Sequence, residues 1–220
     1  MEKLNITNRT KVNRLPKRAV YDKETIHNIL DETFICHVGF KIEGRVYIIP
    51  TAFGRKDDYI FIHGSKNSRM LNSIKTGEDV CISVILADGL VLARSAFHHS
   101  VNYRSVIIFS KGIEIIEPDK KTEALKVILE HIMPGRWDDV RCPNQKELNA
   151  TSVFSFKLDE ASAKIRTGPP IDDEEDLDLN VWAGILPLKV VPNEPVKDEG
   201  LNKGILTPDY IINYKKSRNN

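Results

Sequence analysis

The stretch Phe34-Ile35-Cys36-His37-Val38-Gly39-Phe40, Lys41-Ile42-Glu43-Gly44, Arg45-Val46-Tyr47-Ile48-Ile49-Pro50 decides the fold. Two runs rich in β-branched and aromatic residues flank a short connection that ends in glycine. Strands this close in sequence have no room for a crossover helix, so they pair as an antiparallel hairpin. Pro50 cannot donate to a ladder, which predicts that the second strand ends or bulges there. Cys36 and His37 are neighbours, and neighbours on a strand point to opposite faces. They cannot easily share a proton, so Cys36 reads as a small core residue and not as a nucleophile.

The same pattern continues downstream. Residues 54–58 are a polar turn, and residues 59–62 form a strand that delivers His63-Gly64-Ser65-Lys66-Asn67-Ser68-Arg69. A helix follows over residues 68–75, with Met70, Leu71 and Ile74 inward and Gly77 at its end. Residues 79–86 and 90–97 read as strands around a turn at Ala87-Asp88-Gly89. Residues 103–117 are a long β-rich run with a break at Lys111-Gly112. Pro118 opens a helix over residues 119–132, with Ala124, Leu125, Ile128, Leu129 and Ile132 on one side. Residues 133–150 are irregular, residues 153–158 and 163–165 are strands, residues 169–180 are a Pro-rich and then acidic loop, and residues 181–188 make a last strand. Upstream, residues 22–31 form a short helix capped by Asp22, preceded by a basic, irregular segment. The tail beyond Val191 is irregular. This is a mainly β chain: an antiparallel barrel of six or more strands with two or three peripheral helices. It reads as one domain over residues 1–220 with irregular N- and C-terminal extensions.

Bulk properties narrow the function. The chain has 220 residues, 41% hydrophobic content and a net charge of +1. That sustains one sizeable core and gives no global field drawing the chain to nucleic acid or a membrane surface. No run of about 18 apolar residues occurs. The first residues lack an apolar signal core, so a cytoplasmic location is the expectation. Cys36, Cys81 and Cys142 are far apart and odd in number, which argues against a disulfide framework. There is no G-x-G-x-x-G between a strand and a helix and no P-loop.

The polar residues cluster in three places. Between strand and helix, Gly64 admits close backbone approach, Ser65 and Ser68 offer hydroxyls, and Lys66 and Arg69 offer charge, a set suited to an anion such as phosphate. The alternative is a capped helix with solvated cations. In Ser100-Val101-Asn102-Tyr103-Arg104-Ser105, Asn102 and Arg104 share one face of an extended chain. The alternative there is a strand entrance facing water. Trp182-Ala183-Gly184 puts a large ring beside small residues, as a wall for a planar ligand or as packing. His98-His99, with His63 and His37, has no metal-binding spacing, and no metal is expected. No general base sits beside a nucleophile, so the chemistry is sought in a bound cofactor.

In this order, residues 45–53, His63-Gly64-Ser65, Ser68-Arg69, Asn102-Tyr103-Arg104-Ser105, Pro134-Gly135-Arg136-Trp137, residues 164–170 and Val181-Trp182-Ala183-Gly184 resemble the FMN-binding split β-barrel family that contains pyridoxamine 5′-phosphate oxidase. The likeness is nearer to the nitroimidazole-reductase-like, flavin-nucleotide-binding branch and covers roughly residues 14–190. The chain departs from the oxidase proper at Met70 and after Gly184, where Ile185-Leu186-Pro187-Leu188 follows. The resemblance implies a homodimer with FMN, or alternatively FAD, at the subunit interface. It places Pro50 and Thr51 along the flavin ring, and His63, Ser65, Ser68 and Arg69 around the ribityl phosphate. Asn102, Arg104 and Ser105 approach from a neighbouring strand, and Trp182 comes from the partner subunit. The function it implies is a flavin-dependent oxidoreductase passing electrons from NAD(P)H to a small acceptor. The rival is a flavin or haem carrier or sensor without turnover.

Overall fold

The hairpin forms as a two-residue turn: Ile42 pairs with Arg45, and Glu43 and Gly44 both take positive φ, 49° and 76°. This twist matches that of the flanking strands. The computed structural model describes residues 2–214. In chain order the elements are β1 (Ala19–Val20), α1 (Lys23–Asp31), β2 (Ile35–Ile42), β3 (Arg45–Lys56), β4 (Tyr59–Ser65), α2 (Arg69–Ile74), β5 (Asp79–Leu92), β6 (Ser100–Lys111), β7 (Ile113–Glu114), α3 (Pro118–Ile132), α4 (Gln145–Ala150), β8 (Thr151–Lys157), β9 (Glu160–Arg166), β10 (Gly184–Pro187) and α5 (Asp209–Ile212).

Every strand pair is antiparallel. The strand order is β1-β9-β6-β5-β2-β3-β4-β8-β7, with β10 added to β5. The sheet curls around one core of Phe53, Ile60, Ile62, Ile82, Ile108, Phe154 and Phe156, closed by Ile26, Ile29 and Leu30 of α1 and Met70, Leu71 and Ile74 of α2. The terminal strands β1 and β7 do not pair, so the barrel is split. No helix among the described residues is long and apolar enough to cross a membrane.

Four local expectations are corrected. Ala87-Asp88-Gly89 is not a turn: β5 runs straight through it, and the register with β6 slips by one residue between Ala87 and Gly89. The slip is a β-bulge at Asp88. Gly89 is needed for close approach, because a Cβ there would lie 3.2 Å from the Leu186 carbonyl of β10. β3 does not end at Pro50, which pairs with His37. At that point β3 has β2 on one side only, since its pairing with β4 begins at Phe53, so the missing N–H interrupts no ladder. Residues 133–150 contain α4, whose start is a capping box between Asn144 and Glu147. The last strand begins at Gly184, leaving Trp182 before it.

Alternation decides which residues face out. On β2 and β3, Cys36, Val38, Phe40, Tyr47, Ile49 and Phe53 pack on the core, while His37, Val46, Ile48 and Pro50 point away from it. Gly54 continues the outward series, and there α3 lies on the sheet: a Cβ would come within 2.6 Å of Ile128 Cα. Thus α3 covers the outer face near β3, β4 and β8. The outer face over β2, the first half of β3 and β5 stays bare, with Val46 68%, Ile48 67% and Ile85 58% exposed.

Candidate functional site

The end of β4 and the start of α2 build the polar corner. Ser65 ends the ladder opposite Thr151. Its hydroxyl accepts from the Asn67 N–H at 3.2 Å and its carbonyl from the Ser68 N–H at 2.9 Å. Ser68 caps α2, accepting from the Leu71 N–H at 3.4 Å. Gly64 lies over Leu71, whose Cδ1 would be 3.1 Å from an added Cβ. Arg69 is exposed at the first helical position, its guanidinium 4.6 Å from the centre of the Tyr47 ring. Neither Lys66 nor Arg69 pairs with a carboxylate among the described residues. The corner therefore holds hydroxyls and two cations with no anion of their own.

The bare outer face continues from this corner. Phe53 pairs with Ile62, so the next step of the ladder brings His63 beside Ala52, both outward. His63 is exposed on one side, and burial of the rest of the ring lowers its pKa from the ordinary histidine value. On the other flank of β3, His37 stands directly opposite Pro50 and, across β5, opposite Ser83. Thr51 pairs with Cys36 and faces inward, so Pro50 and Thr51 lie on opposite faces. Burial pushes the Cys36 thiol up to about 12, so Cys36 and His37 form no dyad. A cleft of about 650 Å³ opens around His37, walled by Val46, Ile48, Cys81, Ser83 and Phe109. A second, of about 840 Å³, opens beside Arg69, Asn67 and Asn72. Lys41 lines both.

The β6 cluster is occupied by protein partners. Asp88, pushed out by the bulge, accepts from Arg104 Nε at 3.0 Å and Nη2 at 2.8 Å, and Glu32 takes a third donor. These carboxylates, Asp88 first, hold the guanidinium more firmly charged than usual. Asn102 is buried, donating to the Gly168 carbonyl at 3.2 Å and accepting from Arg166. The Ser105 hydroxyl donates to the Lys164 carbonyl at 3.3 Å. Arg166 is buried and donates to the Gly168 and Pro169 carbonyls at 3.2 and 3.3 Å. Trp182 is 67% exposed, with its ring folded against Gly184. His98, Asp173 and Asp176 gather ligand atoms within 4.8 Å of one another on the surface.

The structure thus brings His63, Gly64, Ser65, Ser68 and Arg69 together at the end of β4, leaves Pro50 on the outer face beside His37 and Thr51 on the inner face, and sets Asn102, Arg104 and Ser105 in a separate network. Sequence reasoning passed over Lys41 and set His37 aside with the dyad. The outward alternation of the first hairpin strand was the signal for both.

The model of the pyridoxamine 5′-phosphate oxidase family matches residues 22–165. The chain belongs to this family. The match spans α1 to β9 and so includes the polar corner and the bare outer face. Among solved structures, the flavocytochrome Anf3 from Azotobacter vinelandii is 38% identical, with 94% of this chain and 96% of that one covered and a TM-score of 0.89. The FAD and haem binding protein from Mycobacterium smegmatis is 30% identical over 89% and 96%, with a TM-score of 0.85. A candidate 5-nitroimidazole antibiotic resistance protein from Bacteroides thetaiotaomicron shares the fold at 22% identity, over 67% and 86%, with a TM-score of 0.58. No curated protein matches the chain.

Proposed function

We propose that this member of a flavin-binding family is a redox protein that carries its flavin on the outer face of the β2–β3–β4 sheet and works as a homodimer. The observation that carries the reading is the pair of cations Lys66 and Arg69, without a carboxylate among the described residues, set beside the Ser65 and Ser68 hydroxyls where β4 gives way to α2. The donor set fits a flavin nucleotide. Ser65, Ser68, Lys66 and Arg69 suit its phosphate, and the Pro50 region suits its ring. FMN is the first candidate. FAD shares the phosphate next to the ribityl chain, and the Mycobacterium smegmatis relative is an FAD and haem binding protein. A second copy would cover Ile85 and bring its Trp182 towards the cleft. When bound, a flavin supplies hydride acceptance and one-electron release. The chain supplies grip, orientation and exclusion of water. NADH or NADPH is the proposed donor and a small molecule the acceptor.

The test is spectroscopic. Purified protein, as isolated or after adding FMN or FAD, should show flavin absorbance that bleaches when NADH or NADPH is added without oxygen. A colourless protein that takes up neither flavin removes the reading. Flavin uptake with no bleaching by either nucleotide removes the nicotinamide donor.

A flavin-plus-haem reading is favoured by the two relatives with the greatest coverage described above. The histidines fit it. His27 meets Asp58 at 3.3 Å, His98 meets Asp173 at 3.0 Å, His99 meets the Ser95 carbonyl at 2.9 Å and His131 meets the Thr33 carbonyl at 2.8 Å. His37 and His63 make no side-chain hydrogen bond among the described residues. Both point outward from the sheet, one on each flank of β3.

A further inference from the structure

We infer that the cleft over β2 and β5 is the haem pocket of this protein and that His37 is its axial ligand. The inference rests on the flavin-plus-haem reading and assigns it a place and a residue. A protein that holds an iron porphyrin supplies an axial ligand such as an imidazole, apolar walls for the macrocycle and a cation for the propionates. The cleft offers all three. His37 is its imidazole, held on the second outward step of β2 by pairing on both sides, to Pro50 and to Ser83. A ligand on a doubly paired strand is held more rigidly than one on a loop. Val46, Ile48 and Phe109 form apolar walls. Val46 and Ile48 are about two-thirds exposed in this chain, more than an ordinary surface needs. Gly39, the next outward residue, has no side chain to crowd the space beside the imidazole.

The cation is Lys41, two outward steps from His37 and without a carboxylate partner among the described residues. Arg9 also reaches the cleft, but its guanidinium is engaged by Asp79 and Glu160. His63, the other imidazole without a side-chain hydrogen bond among the described residues, stands on the opposite flank of β3, next to the hydroxyls and cations of the flavin corner.

The placement also joins the two cofactor positions. His37 and Pro50 are directly opposed across a ladder, so their Cβ atoms are about 5 Å apart. A flavin on the Pro50 shelf and a porphyrin on His37 would share β3, and Lys41 borders both clefts.

The experiment is a titration of the full chain with haemin, read by the Soret band of the ferric and dithionite-reduced forms. FMN uptake is measured in parallel. Wild type and His63→Ala should both give a histidine-ligated spectrum. His37→Ala should bind haemin at least tenfold more weakly and lose that spectrum, keep FMN uptake and the wild-type circular dichroism, and regain the spectrum with added imidazole. Lys41→Ala should weaken haemin binding while keeping the spectrum. An unchanged spectrum in His37→Ala, or its loss in His63→Ala alone, overturns the assignment and leaves the haem reading standing. A wild-type protein that gives no Soret shift with haemin overturns the haem reading with it.

Discussion

Arg69 and Arg104 carry the same charge in opposite situations. Arg69 is exposed and rests on Tyr47 with no acid beside it, whereas Arg104 is held by Asp88 and Glu32. Their alanine variants should therefore differ in kind. Arg69→Ala should leave the flavin-free protein as stable as before and weaken FMN binding by about 1.5–3 kcal/mol, the worth of a charged hydrogen bond. Fluorescence titration checks this. Arg104→Ala should destabilise the flavin-free protein by roughly 2–3 kcal/mol, because partly buried Asp88 loses both of its hydrogen bonds from the guanidinium. Denaturant unfolding checks that. The histidines add a pH dependence. Burial is the main cause lowering the pKa of both His27 and His63 below 6.5. The unfolded chain then binds more protons than the folded one as pH falls through that value. Stability should be full above about pH 6.5 and decline in mild acid, read as a falling melting temperature from pH 7.5 to 5.5, and a His27→Gln, His63→Gln double variant should flatten the profile.

At the scale of the element, hairpins and helices were legible because each is a local pattern. Glu43-Gly44 supplied the positive φ of its turn, and the periodicity of Met70, Leu71 and Ile74 gave α2 its buried face. Asp88-Gly89 carried the same kind of turn signal and became a bulge, because β6 pairs with β5 on both sides of it and β10 lies against Gly89. A local signal cannot register a long neighbouring strand. Gly54 shows the same limit. Nothing in its surroundings in sequence foretells that α3 will lie against it, yet its missing side chain sets how closely that helix approaches. Gly54→Val should lift α3 from β3 and cost roughly 1–3 kcal/mol through overpacking. Thermal unfolding should show a drop of about 2–4 °C for each kcal/mol.

At the scale of the whole molecule, α3 covers one half of the outer sheet face and leaves the other half apolar and open. A second copy is the proposed cover. Ile85 lies on this face, away from the His37 cleft, and is 58% exposed. Ile85→Asp should raise the dimer dissociation constant at least tenfold, about 1.4 kcal/mol, as seen by sedimentation. A wild-type monomer, or a variant dimer of unchanged affinity, would refute the proposed interface. The sequence by itself determined the antiparallel strands, the three main helices, the inward and outward faces of each strand, and the serine and arginine corner at the start of α2. These follow from periodicity, turn chemistry and capping, all set by residues close together in the chain. Only the tertiary structure decided that Arg104, Asn102 and Ser105 spend their polar groups on Asp88, Glu32, Arg166, Gly168 and Lys164. It alone set His37 and His63 outward on the two flanks of β3. Those outcomes depend on strand order and register, which bring together residues far apart in sequence whose own neighbourhoods carry no trace of one another.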